Sequence, residues 1–111
     1  MISRLLDWLP FPRWHVVGRY EDLDELPNAL PRKGAALVSA PGRLKWIIFD
    51  CPCGTGHRIM LNGDHSRRPF WNVLSARPLS ISPSVDFRGS ERRCHYFIRN
   101  GRTMWAKDSD R

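Results

Sequence analysis

From residue 35 onward, short apolar runs and turn residues follow one another at a spacing that fits strands. ALVSA and RLKWIIFD flank Pro41-Gly42, a pair suited to a tight turn. HRIMLN and FWNVLSA come next, separated by the polar stretch GDHSRRP. In LSISPSVDF, Leu79, Ile81, Pro83, Val85 and Phe87 alternate with Ser80, Ser82, Ser84 and Asp86. A period of two predicts a strand with one apolar and one hydroxylic face. Pro83 cannot donate to a ladder, so an edge position or a bulge is expected there. CHYFIR and RTMWAK flank Asn100-Gly101, a strong hairpin signal because both residues tolerate positive φ. Nearer the start, WHVVGRY (14–20) reads as a first strand. The acidic EDLDELPNAL leaves room for one short helical turn before Pro27. The pattern predicts a mainly β protein: a small antiparallel sheet or barrel of six to eight short strands.

Length and composition narrow this picture. The 111 residues suit one compact domain. Residues 1–13 read as an apolar arm, too short and interrupted for a membrane span or a signal core, and residues 14–111 as a single β domain. Trp46, Trp71 and Trp105 fall in expected strands and belong to the core, whereas Trp8 and Trp14 could contact a partner. Hydrophobic residues make up 41%, too many for a disordered chain. The formal charge of +7 would suit an acidic partner such as nucleic acid or an acidic protein surface. The arginines are scattered, however, and no nucleic-acid-binding motif accompanies them. Arg67, Arg68, Arg92 and Arg93 could bind a carboxylate or phosphate, although arginines at such positions usually face solvent.

Three cysteines cannot all pair within one chain, and a reducing, cytoplasmic setting is expected. There, clustered Cys and His point to metal or catalysis rather than to a disulfide framework. Cys51 and Cys53 share a face if the chain is extended, and Gly54 and Gly56 allow it to fold back and deliver His57. Cys94 and His95 are adjacent, so a strand would send them to opposite faces. The expected ligand set is therefore Cys51, Cys53, His57 and Cys94, holding a structural Zn2+ in a knuckle, with His95 the competing fourth ligand. Four protein ligands leave no open position for water.

A metal bound in this way frees His95, next to Phe97 and Arg99, to act as a general base. Ser84, just after Pro83, is the hydroxyl placed at the expected irregularity, and a Ser–His pair can activate it for acyl transfer. Asp86, two residues on, is the carboxylate that spacing offers to orient the imidazole. Alternating serines more often mark a solvated face, so spacing alone does not establish catalysis. His15 and His65 are assigned to surface or loop.

Taken in order, CPCGTGHRI, FWNV, LSISPSV and CHYFIRNGRTMW resemble a small bacterial domain of unknown function, family 6527, over residues 45 to 106. The family's Cys-Pro-Cys-Gly segment falls on Cys51 to Gly54, its Pro-Ser segment on Pro83 and Ser84, and its late Cys and His on Cys94 and His95. Many members carry a cysteine where Thr55 stands, so His57 would replace that ligand here. The resemblance implies genes placed beside ubiquitin-like proteins and E1-like and E2-like enzymes. It further implies a peptidase that releases or matures the ubiquitin-like protein, using a serine nucleophile and a structural zinc. Two other functions fit the residues: a non-catalytic zinc-bound β module binding protein or nucleic acid through a basic face, and a hydrolase working at an open metal position.

Overall fold

The computed structural model describes residues 13–90 and 92–109. The expected apolar arm, apart from Arg13, lies outside the described residues, as does Trp8. Eight strands form two four-stranded sheets. The first comprises β1 (His15–Tyr20), β2 (Gly34–Ala40), β3 (Arg43–Asp50) and β4 (Arg58–Asn62). The second comprises β5 (Asn72–Ala76), β6 (Leu79–Arg88), β7 (Arg93–Arg99) and β8 (Arg102–Trp105). In both, sequence neighbours are spatial neighbours. The protein is mainly β, as expected, in two sheets rather than a closed barrel. One pair departs from the antiparallel expectation: β1 runs parallel to β2. A parallel partner needs a crossover of a dozen residues or more. Residues 21–33 supply it, and they carry a 3-10 turn at Leu23–Glu25 closed by a capping box between Asp22 and Glu25. This is the short helical turn expected before Pro27.

The inner faces of the two sheets meet in one core. Leu37, Ile47, Phe49 and Ile59 pack there with Leu79, Ile81, Val85, Tyr96 and Ile98. Trp14, expected at a partner surface, is instead 1% exposed. It sits where both sheets close. Its ring meets Phe49 edge-on at 5.2 Å, and its indole N–H donates to Thr103 Oγ1 at 2.8 Å. Its backbone is bonded to the Gly101 carbonyl and the Leu79 amide. The three tryptophans expected inside are only half-buried: Trp71 and Trp105 flank the core, and Trp46 lies near the Arg67 guanidinium, 6.0 Å from its ring. The turn joining β7 to β8 places Asn100 at φ 50° and Gly101 at φ 74°, as the Asn-Gly pair predicts. No helix among the described residues is long and apolar enough to cross a membrane.

Candidate active site and metal centre

β6 is irregular where Pro83 interrupts it. Between Ile81 and Val85 it advances four residues, while their partners Ile98 and Tyr96 on β7 are two apart. The two extra residues preserve the alternation, so Ile81 and Val85 both face the core. Ser82, Pro83 and Ser84 have no partner in register on β7, although Ser82 still pairs with Asn72 on β5. Pro83 is exposed rather than on the apolar face that alternation suggested. The indole N–H of Trp71 donates to the Ser84 carbonyl at 3.0 Å and anchors the bulge from the neighbouring loop.

Ser84 Oγ lies 3.0 Å from His95 Nε2, and His95 Nδ1 lies 2.8 Å from Asp108 Oδ1. With its proton on Nδ1, the imidazole donates to Asp108 and accepts from Ser84, so one tautomer satisfies both contacts. Strand alternation explains the placement of His95: Cys94 points into the core, and His95 points the other way with Phe97 and Arg99. Asp108 arrives from beyond β8. The Ala106 amide donates to the His95 carbonyl at 2.9 Å, and Ser109 Oγ accepts from the His95 amide at 3.1 Å and donates to the Arg93 carbonyl at 3.2 Å. These bonds hold residues 106–109 against β7.

Asp86 does not orient His95. It pairs across the ladder with His95 in register, but its carboxylate is held by Arg93 through two bonds of 2.9 Å. That fork, then the charges of Arg93 and Arg88, outweigh partial burial and bring the Asp86 carboxyl down to about 2. Arg93 also reaches Asp108 Oδ2 at 2.9 Å, so both oxygens of Asp108 are engaged. The hydrogen bond from His95, aided by the Arg93 charge, holds the Asp108 carboxyl below the usual range.

On the opposite face of β7, Cys51, Cys53, His57 and Cys94 converge, with one ligand atom from each all within 4.8 Å of one another. A tetrahedral zinc with bonds of about 2.3 Å to sulfur has edges of about 3.8 Å, so modest contraction would close the set. The knuckle forms as the glycines suggested. Gly54 and Gly56 adopt φ of 87° and 86°, and the Cys51 amide bonds to the His57 carbonyl at 3.0 Å. His57 Nε2 is 3.0 Å from Cys53 Sγ and 3.8 Å from Cys94 Sγ. The donor chemistry fits a cation. Burial, then the charge of Cys51, pushes the Cys94 thiol up to about 12. Burial also raises Cys51. Cys53 is opposed by burial, yet hydrogen bonds from Thr55, Cys51 and His57 bring it down to about 6. Three such sulfurs cannot ionise together without a positive charge among them. The Tyr96 hydroxyl donates to Cys51 Sγ at 3.5 Å, and His57 stacks on Phe87 with centroids 4.3 Å apart. His57 Nδ1 is buried without a partner, so packing rather than an outer hydrogen bond holds that ring.

His15 bonds to the Arg13 carbonyl, and His65 packs at a tilt against Phe70 with centroids 4.3 Å apart. The carboxylate that spacing missed, Asp108, lies 13 residues after His95 in a segment with no strand period. Its only visible signal was an acidic residue shortly after the last hairpin.

A hydroxyl, an imidazole and a carboxylate in succession are arranged here as they are in serine hydrolases, on a β scaffold with a cysteine–histidine cluster that could hold zinc. Residues 22–106, most of the chain, match the model of BubE, described as a bacterial ubiquitination-like system serine protease, and the chain belongs to that family. No curated protein and no solved structure matches it. The match ends two residues before Asp108.

Proposed function

We propose that the protein is a serine-type peptidase that matures a bacterial ubiquitin-like protein or removes it from conjugates, with E1-like and E2-like enzymes as functional neighbours. The continuous contact from Ser84 through His95 to Asp108 carries this reading. Residues 14–111 act as one zinc-stabilised domain. Ser84 Oγ attacks the carbonyl at the tail of the ubiquitin-like protein while His95 Nε2 takes its proton. The tetrahedral intermediate collapses, the bond to the leaving amine breaks, and His95 returns the proton to that nitrogen. Water, deprotonated by His95, then attacks the Ser84 ester; the C–Oγ bond breaks, His95 returns the proton to Ser84 Oγ, and the free carboxylate leaves. Asp108 keeps the proton on Nδ1 and stabilises the imidazolium. Backbone N–H groups of the bulge are the candidates for holding the oxyanion.

Zinc, held by Cys51, Cys53, His57 and Cys94, would supply structural cross-linking between the β3–β4 knuckle and β7. Four protein donors leave no place for a reacting water. The test is a fluorophosphonate probe together with a ubiquitin-like protein carrying a C-terminal extension. The probe should modify Ser84, and the extension should be released as a discrete peptide by mass spectrometry. Ser84→Ala should lose both while keeping its fold and metal content. Cleavage by that variant at the wild-type rate would exclude this nucleophile.

A further inference from the structure

Two surface grooves meet at Pro83, the residue beside the Ser84 hydroxyl. One, of about 500 Å³, is lined by Leu74, Pro83, Ser84, Phe97 and Arg99 among others. The other, of about 590 Å³, is lined by Arg68, Pro69, Phe70, Asn72 and Pro83. Both are open surface grooves rather than enclosed cavities. Their chemistry is matched. Each holds an arginine laid on a phenylalanine: Arg99 lies 4.7 Å from the Phe97 ring centroid, and Arg68 lies 5.8 Å from that of Phe70. Neither groove has a carboxylate among its lining residues. By contrast, Arg58, Arg67, Arg88 and Arg93 all pair with aspartates. Leu74, 67% exposed, adds an apolar wall on the edge strand β5.

The surroundings hold both arginines in place. Phe97 follows His95 on the outer face of β7, so Arg99 is the next residue on that face. The loop bearing Arg68 and Phe70 is organised by Asn62, whose Nδ2 lies 2.9 Å from the carbonyls of both Arg67 and Pro69. Stacking on an aromatic ring restrains a guanidinium while leaving its N–H fork free for a planar acid.

We infer that these grooves form one track for an extended acidic peptide, in which Arg99 and Arg68 each receive a carboxylate side chain, one on either side of Pro83. The track rests on the proposed peptidase only for the place of the scissile bond, which it sets at Ser84. The overall charge of +7 would draw such a segment in, and the two arginines would fix its register.

The experiment uses fluorescent peptides containing two glutamates whose spacing is stepped, and the same peptides with glutamine. Binding to the Ser84→Ala protein is read by polarisation at low ionic strength. At the best spacing, the glutamate peptide should bind about threefold to tenfold tighter than its glutamine analogue, as partly exposed ion pairs allow. Arg99→Glu and Arg68→Glu should each remove part of that preference, and the double variant should abolish it. Arg19→Glu, the same charge change on β1, should leave it intact. Equal binding of the two peptides, or an equal loss in Arg19→Glu, would overturn the track. Fluorophosphonate labelling of the wild-type protein separates this from the peptidase reading. Labelling without glutamate preference removes the track alone, and preference without labelling removes Ser84 as nucleophile while leaving the track.

Discussion

At the residue scale, the candidate site depends on how one imidazole is held. His95 is 19% exposed at its side chain, but Asp108 is 51% exposed. The familiar relay buries its acid. Here Arg93 compensates by taking the second oxygen of Asp108, so the carboxylate cannot turn away freely. Asp108→Asn should therefore lower kcat about a hundredfold to ten-thousandfold, with KM little changed, because the amide can favour the wrong tautomer. Steady-state kinetics on a tailed ubiquitin-like substrate checks this, and an unchanged kcat would remove Asp108 from the relay. Ser84 and His95 could be read as candidates from the sequence because both follow from strand alternation. Asp108 could not. Asp86 was nearer in sequence and is even opposite His95 in the ladder, but a guanidinium fork competes for it more strongly than a neutral imidazole does. Trp14 was misplaced for a related reason: nothing local shows that the entry to β1 is the seam of two sheets.

At the element scale, β7 separates two side-chain clusters by parity alone. Cys94 faces the core and the cysteine cluster, and His95 faces Ser84. The strands, the Asn-Gly turn, the glycine knuckle and the bulge at Pro83 were all legible, since each follows from period or local φ preference. The parallel β1–β2 pair was not, because its partner is chosen by a crossover whose sequence shows one short helical turn and no direction of return. The knuckle offers a test free of packing effects. A Cβ added at Gly56 would meet nothing within 4 Å, yet φ there is +86°. Gly56→Ala should thus cost about 1–2 kcal/mol through backbone strain alone, and release zinc to a chelator sooner. Denaturant titration and a colorimetric zinc assay would measure the two. Between β6 and β7, Asp86 links stability to pH. Its folded value, about 2, is below the ordinary 3.8. Its contribution is therefore fully present above the ordinary value and fades as pH falls toward 2. Wild-type and Asp86→Asn melting temperatures should differ most near neutrality and converge in acid; a constant gap would show that Asp86 contributes no such linkage.

At the scale of the whole molecule, the cysteine–histidine cluster joins the two sheets. Cys51, Cys53 and His57 belong to the β3–β4 connection in one sheet, and Cys94 to β7 in the other. A structural zinc can supply about 10 kcal/mol of folding free energy, comparable with the entire net stability of a small domain. Chelation should therefore lower the melting temperature steeply and abolish activity together with the fold. That outcome alone does not separate a structural ion from a catalytic one, because both would be lost. Replacement does. Cadmium accepts the same thiolate and imidazole donors, so refolding with it should restore the β signal in circular dichroism. With the ion on the far face of β7 from Ser84, activity per folded molecule should then match the zinc protein across the pH range. A cadmium protein that is folded but slow, or whose pH profile moves, would mean that metal-bound water takes part in the reaction, and the Ser84–His95–Asp108 mechanism would have to give way to a hydrolase working at the metal.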